Sequence, residues 1–256
     1  MTMTRIIFIL FFLLSLASAV KQRDYNSLIQ SPASSTPLPT VDQVLDHYVQ
    51  ALGGKAALEK LTSRSFKGEI EWNDGTGTAE HYFKAPNKYM SVTTLVGIVT
   101  DGILLDGFNG SAGWTVNFAG AQRDWSSAEV ARAQRHRDFY KELRLKTLYQ
   151  STTFKGIEKI GNKETYVLEL TPTAGRPEKM YFDVATGLLL RHEYAIDGAQ
   201  GATTYEYNYD DYQEVDGVKV AFTIRRMKPS KWTIKVSEVK HNLNLEDEKF
   251  NKPAAK

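Results

Sequence analysis

From Ser63 onward the chain alternates. The run SRSFKGEIEWN sets Phe66, Gly68, Ile70 and Trp72 against Lys67, Glu69 and Glu71, so a two-residue period gives an extended strand one apolar and one charged face. The same reading fits TAEHYFKAP, NKYMSVTTLV, IVTDGILLDGFN, SAGWTVN, STTFKGIEKIG, ETYVLELTP, PEKMYFDV, GLLLRHEYAI, TTYEYNYDDYQ, DGVKVAFTIRR and KWTIKVSEVKH. Turn residues separate many of them: Asn73-Asp74-Gly75, Pro86-Asn87, Gly161-Asn162, Ala185-Thr186-Gly187 and Asp216-Gly217. About eleven or twelve strands in hairpin succession predict one antiparallel sheet, too wide to stay flat, that curls into a half-barrel.

Helical signals are few. Thr40 reads as an N-cap for TVDQVLDHYVQALGG, whose Val41, Val44, Leu45, Tyr48, Val49 and Leu52 share one stripe that stops at Gly53-Gly54. A short helix over KAALEKL follows, and one further helix is expected from about Ser126 to Tyr149, with an Arg-rich middle and an apolar end at Phe139, Leu143, Leu145, Leu148 and Tyr149. These helices are the material available to cover the concave face as a lid.

The N-terminus bears on compartment. Arg5 is followed by IIFILFFLLSL and Ala17-Ser18-Ala19, which reads as a basic region, an apolar core of about eleven residues and a small-residue cleavage site. At about 1.5 Å per residue that core reaches only half-way across a ~30 Å hydrocarbon layer. Residues 1–19 are therefore expected to be a cleaved signal peptide, 20–39 a flexible Ser/Pro-rich tether, 40–251 the folded domain and 252–256 a disordered tail. The chain contains no cysteine, so disulfides, thiol nucleophiles, zinc–thiolate sites and a lipid-modified N-terminal cysteine are excluded. The expectation is an exported, soluble protein without a lipid anchor, in the periplasm of a bacterium. Without Arg5, 31 of the 32 basic residues face 30 acidic ones, and so near-neutral a balance gives nucleic acid no electrostatic footing.

No catalytic set emerges. Ser111 in GFNGSAG follows Asn109 where a nucleophile elbow needs Gly, and no phosphate-binding or dinucleotide glycine pattern occurs. His47, His81, His136, His192 and His241 are scattered, and no short spacing brings metal ligands together, so neither metal nor cofactor is expected. Asp210 and Asp211 are adjacent and point to opposite strand faces, and Asp183 precedes a Thr-Gly turn in which Asp bonds the backbone ahead. The reading is that of a non-enzyme.

The apolar strand residues are large and often aromatic. Phe66, Ile70, Trp72, Phe83, Trp114, Phe182, Leu190, Tyr205 and Tyr207 are the candidate lining of an apolar cavity, although a one-residue change of register would reverse the faces of the Leu188-Leu189-Leu190 run.

The opening TVDQVLDHYVQALGGKAALEKLTSRSFKGEIE, the central DGFNGSAGWTVN, the hairpin YFDVATGLLLR and the closing YNYDDYQEVDGVKVAFTIRR with WTIKVSEVKHN resemble the LolA-like outer-membrane lipoprotein-sorting superfamily, and within it an uncharacterised exported branch. The resemblance runs from about residue 40 to 250 and rests on turns and strands. It implies a mainly β fold with some α, a strongly curved antiparallel half-barrel with helices across its mouth, and an apolar cavity for acyl chains. A soluble monomeric carrier of an acylated lipoprotein or other lipid-like ligand is the function it implies. An envelope-stress sensor or assembly module that binds a protein partner through the same half-barrel is the alternative.

Overall fold

The computed structural model describes residues 37–72, 75–97 and 102–254, so the expected signal peptide and most of the expected tether lie outside the described residues. The described residues from Leu38 onward form one compact unit. None of the described helices is long and apolar enough to cross a membrane.

Thirteen strands form one antiparallel sheet: β1 (Ser63–Trp72), β2 (Gly75–Lys84), β3 (Lys88–Val96), β4 (Gly102–Phe108), β5 (Gly113–Val116), β6 (Gln122–Asp124), β7 (Ser151–Ile160), β8 (Lys163–Thr171), β9 (Glu178–Asp183), β10 (Leu189–Gly198), β11 (Gly201–Val215), β12 (Val218–Lys228) and β13 (Trp232–His241). Their order is β6-β5-β4-β3-β2-β1-β13-β12-β11-β10-β9-β8-β7. Twelve of these strands carry the alternation that the sequence shows. The thirteenth, β6, is three residues long, too short for a period to register.

This order has a geometric consequence. β1 to β6 and β7 to β13 are two meanders that meet where β1 pairs with β13, and the chain passes from one to the other by leaving the sheet at edge β6 and returning at the opposite edge β7. Thirteen flat strands would span about 58 Å at ~4.8 Å per step. The helices on that connection, α3 (Ser127–His136) and α4 (Lys141–Leu148), supply about 27 Å at 1.5 Å per residue, and the other eight residues add at most about 27 Å if fully extended, so even a straight connection would fall short. The sheet therefore curves, and the connection straps across its concave side.

The expected single helix over 126–149 is thus two. It breaks at 137–140, where Asp138 accepts the Tyr140 amide (2.9 Å) and the Arg144 guanidinium (2.6 Å), and where Phe139 N donates to Pro86 O at 2.8 Å. Tyr140 Oη donates to Leu61 O (2.9 Å), which pins the break to the other helical layer.

That layer comprises α1 (Val41–Ala51) and α2 (Lys55–Glu59). Thr40 caps α1, as the sequence indicates, and closes a capping box with Gln43. Its stripe buries Val44, Leu45, Tyr48 and Leu52 against Leu168, Leu170, Met180, Phe182, Leu188, Leu189 and Val218, with Leu145 and Tyr149 joining from the strap. Two turns grip the helix. A Cβ on Gly187 (φ +75°) would stand 2.9 Å from the His47 ring and carbonyl, and one on Gly53 (φ +120°) would stand 2.1 Å from Gly217 O. Asp183 shapes the first of these turns: its Oδ1 accepts from Ala185 N (2.9 Å), and its amide donates to Leu188 O (2.9 Å).

Residues 252–254 run beside β6, with Lys252 Nζ 2.9 Å from Asp124.

Candidate functional site

The strand register fixes which side chains share the concave face. Phe66 pairs with His81, His81 with Ser91, Ser91 with Asp106 and Asp106 with Thr115, which sets that face across β1 to β5. In the other direction Ile70 pairs with Ile234, Ile234 with Ile224, Ile224 with Tyr209, and further along Arg226 with Tyr207, Tyr207 with His192, His192 with Met180 and Met180 with Leu168. One face thus runs unbroken from β5 to β8, and it is apolar and aromatic with a few buried polar groups.

Two parts of this face are covered. Under α1, α2 and α4 lies the core already described. Under α3, Val130 and Ala133 pack on Tyr89, Phe108, Phe83 and Trp125. Between them runs a half-buried aromatic strip. Tyr194 stacks on Tyr205 (5.2 Å, 7°) and Tyr207 (6.0 Å, 6°), Tyr207 meets Trp232 edge-on (5.8 Å), and the Arg226 guanidinium lies between Trp232 (5.3 Å) and Trp72 (5.9 Å). The indole N–H of Trp72 at this strip, and Nε2 of His81 among Phe66, Phe83 and Tyr89, are buried without a hydrogen-bond partner. Burial, and next to it the Arg137 charge, push the His81 imidazole down to about 3, so it is neutral.

The strap is fastened at both sides. Arg137 sits 3.6 Å above the Tyr89 ring. On the far side His136 Nε2 lies 2.8 Å from Glu178 Oε2, as does His192 Nε2, and Tyr149 Oη donates to the same oxygen at 3.0 Å. Arg135 Nη2 stands 3.6 Å from Glu178 Oε1. Burial pushes the Glu178 carboxyl up, but the His136 and His192 imidazoles and their hydrogen bonds outweigh it and hold the group well below the ordinary carboxylate range. Burial lowers His136 to about 4, against the opposing pull of the Glu178 carboxylate.

No family model matches the chain. No curated protein matches it either. Among solved structures, a DUF1329-family protein from Desulfovibrio piger superposes with a TM-score of 0.55 at 17% identity, covering 86% of this chain and all of that one. A LolA-superfamily protein from Nitrosomonas europaea gives 0.53 at 14% identity, with 84% and 99% covered. The chain has the LolA-like fold. At these identities the likeness is one of fold.

Within that LolA-like fold the nine residues singled out from sequence fall in different places. Phe66, Ile70 and Trp72 lie on the concave face with Ile234 and Val236, Phe83 bridges to the α3 contact, and Phe182 packs on Tyr48 (5.0 Å) beneath α1. Tyr205 and Tyr207 are in the aromatic strip. Trp114 sits elsewhere: it pairs with Gly107, one residue out of phase with Phe108, and its indole N–H donates to Phe250 O (3.2 Å) of the C-terminal 3-10 turn on the convex side. Leu190 is the extra residue of a bulge, because Leu189 pairs with Phe182 and Arg191 with Tyr181. Leu188 and Leu189 belong to the core under α1, whereas Leu190 does not.

The cluster around Glu178 was not legible as a site, since His136, Glu178 and His192 stand 42 and 14 residues apart. One signal was present. Glu178 is in phase with Met180 and Phe182, a carboxylate on the apolar face of a strand.

Proposed function

We propose that this chain is an exported, periplasmic, non-enzymatic carrier of a lipid-like ligand, with the acyl chain of a lipoprotein the most specific candidate. One observation carries the reading: a concave apolar and aromatic face continues beneath a cover of four short helices that belong to no strand ladder. Burial supplies the affinity. At about 0.8 kcal/mol per CH2, a sixteen-carbon chain gains on the order of 10 kcal/mol before ordering costs.

Two clefts lie in the helical layer, one of about 130 Å³ between α1 and α4 and one of about 440 Å³ lined by Lys55, Glu59, Tyr140, Leu143 and Arg144. On this reading the helices part from the sheet to load an acyl chain onto the aromatic strip. Phe66, Ile70, Trp72, Phe83, Phe182, Tyr205 and Tyr207 remain the proposed lining; Trp114 and Leu190 leave it, by face and by bulge respectively.

Native mass spectrometry of the mature protein purified from its own envelope, followed by lipid extraction, tests this reading. Co-purifying acylated species support it, and a protein that arrives empty and takes up no fluorescent fatty acid overturns it. Tyr207→Asp should abolish fatty-acid uptake with the β circular-dichroism signal intact, whereas Leu190→Asp should cost stability and spare uptake.

A further inference from the structure

Three side chains from three separate elements aim a ligand atom at one point. His136 ends α3, Glu178 opens β9 and His192 lies on β10, and their nitrogen and carboxylate atoms all fall within 4.8 Å of one another. One carboxylate oxygen, Glu178 Oε2, serves three donors, His136 Nε2 and His192 Nε2 at 2.8 Å and Tyr149 Oη at 3.0 Å. Arg135, 3.6 Å from Oε1, already supplies a counter-charge, so charge balance does not call for two imidazoles as well.

We propose that His136, Glu178 and His192 bind a divalent transition metal of the zinc class, which staples the strap helix α3 to the sheet. Two imidazoles and one carboxylate are a nitrogen and oxygen set that zinc accepts, with a fourth position left open. Bonds of about 2.0–2.1 Å at tetrahedral angles put ligand atoms about 3.3 Å apart. The two N···O separations of 2.8 Å open by about half an ångström to reach that spacing, and the two imidazole nitrogens, within 4.8 Å of each other, settle to it as well. Each imidazole presents its Nε2 lone pair by carrying its proton on Nδ1 rather than Nε2. Tyr149 then holds the carboxylate from behind as an outer hydrogen-bond partner. The Arg135 and Lys141 charges oppose the metal and lower its affinity.

The test uses the full mature chain, stripped with chelator and titrated with zinc chloride or cobalt chloride alone. Calorimetry should saturate at one equivalent, and X-ray absorption fine structure of the zinc-loaded protein should show two imidazoles in an all nitrogen and oxygen shell. His136→Gln and His192→Gln should each weaken binding by more than about a hundredfold, beyond the loss of an outer partner. Failure of the wild-type chain to bind one equivalent, a metal shell without two imidazoles, or equally tight binding in both variants overturns the proposal. Should either variant fail to fold, the fine structure of the wild-type protein decides alone.

Discussion

Gly53 shows how much one residue can fix. Its φ of +120° is unfavourable to any side chain, and a Cβ there would stand 2.1 Å from the Gly217 carbonyl oxygen, backbone that cannot swing aside. Gly53→Ala should therefore cost about 2 kcal/mol or more, seen in calorimetry as a fall in Tm of roughly 4–8 °C. His81 makes a second prediction. Its folded value of about 3 lies below the unfolded ~6.5, so the stability it contributes is fully present above pH ~6.5 and is lost as pH falls towards 3. Denaturant titrations between those limits should show His81→Gln shedding a slope of up to about 1.4 kcal/mol per pH unit, one proton's worth. At this scale the chain was partly readable. Asp183 is a turn residue because its bonding partners are two and five residues away, and local chemistry announces them. The partners of Glu178 arrive from α3 and β10, and no spacing along the chain encodes them.

The element that covers the β2–β4 part of the concave face is α3. Its start is held by a capping box between Ser126 and Glu129, and Glu129 takes both Arg123 guanidinium nitrogens, at 2.9 and 2.7 Å. The bond from Arg123 is the main cause that lowers the Glu129 carboxyl to about 2. Ser126→Ala should remove about 1 kcal/mol of helix stability. Hydrogen exchange would then quicken in α3 while the β1–β13 ladder keeps its protection. Arg135→Gln should act at the other end, tightening zinc binding in a calorimetric titration because a like charge leaves the site. Strands long enough for the two-residue period were legible, as was the α1 stripe with its cap. Hidden from sequence were β6, with three residues, the break at 137–140, which depends on Asp138 meeting Arg144, and the bulge at Leu190, which leaves one of three buried leucines outside the core under α1.

At the scale of the molecule, the fold class follows from counting alternating runs, but the order of strands does not. Hairpin neighbours are given by short turns, whereas the pairing of β1 with β13 joins residues about as far apart as the domain allows, Arg64 with His241. That pairing and the strap are two different kinds of join between the same two meanders, one a ladder of hydrogen bonds and the other covalent. The chain passes between the meanders once, through 125–150. A cut at the break between α3 and α4 would consequently divide the domain into two separate polypeptides, each with a whole meander and one strap helix. Expressed together, such fragments should find each other through β1 and β13 and co-purify as a nicked but complete domain. Expressed alone, each would expose that central ladder as a raw edge and aggregate. The strap thus marks the seam at which this protein can be made from two pieces.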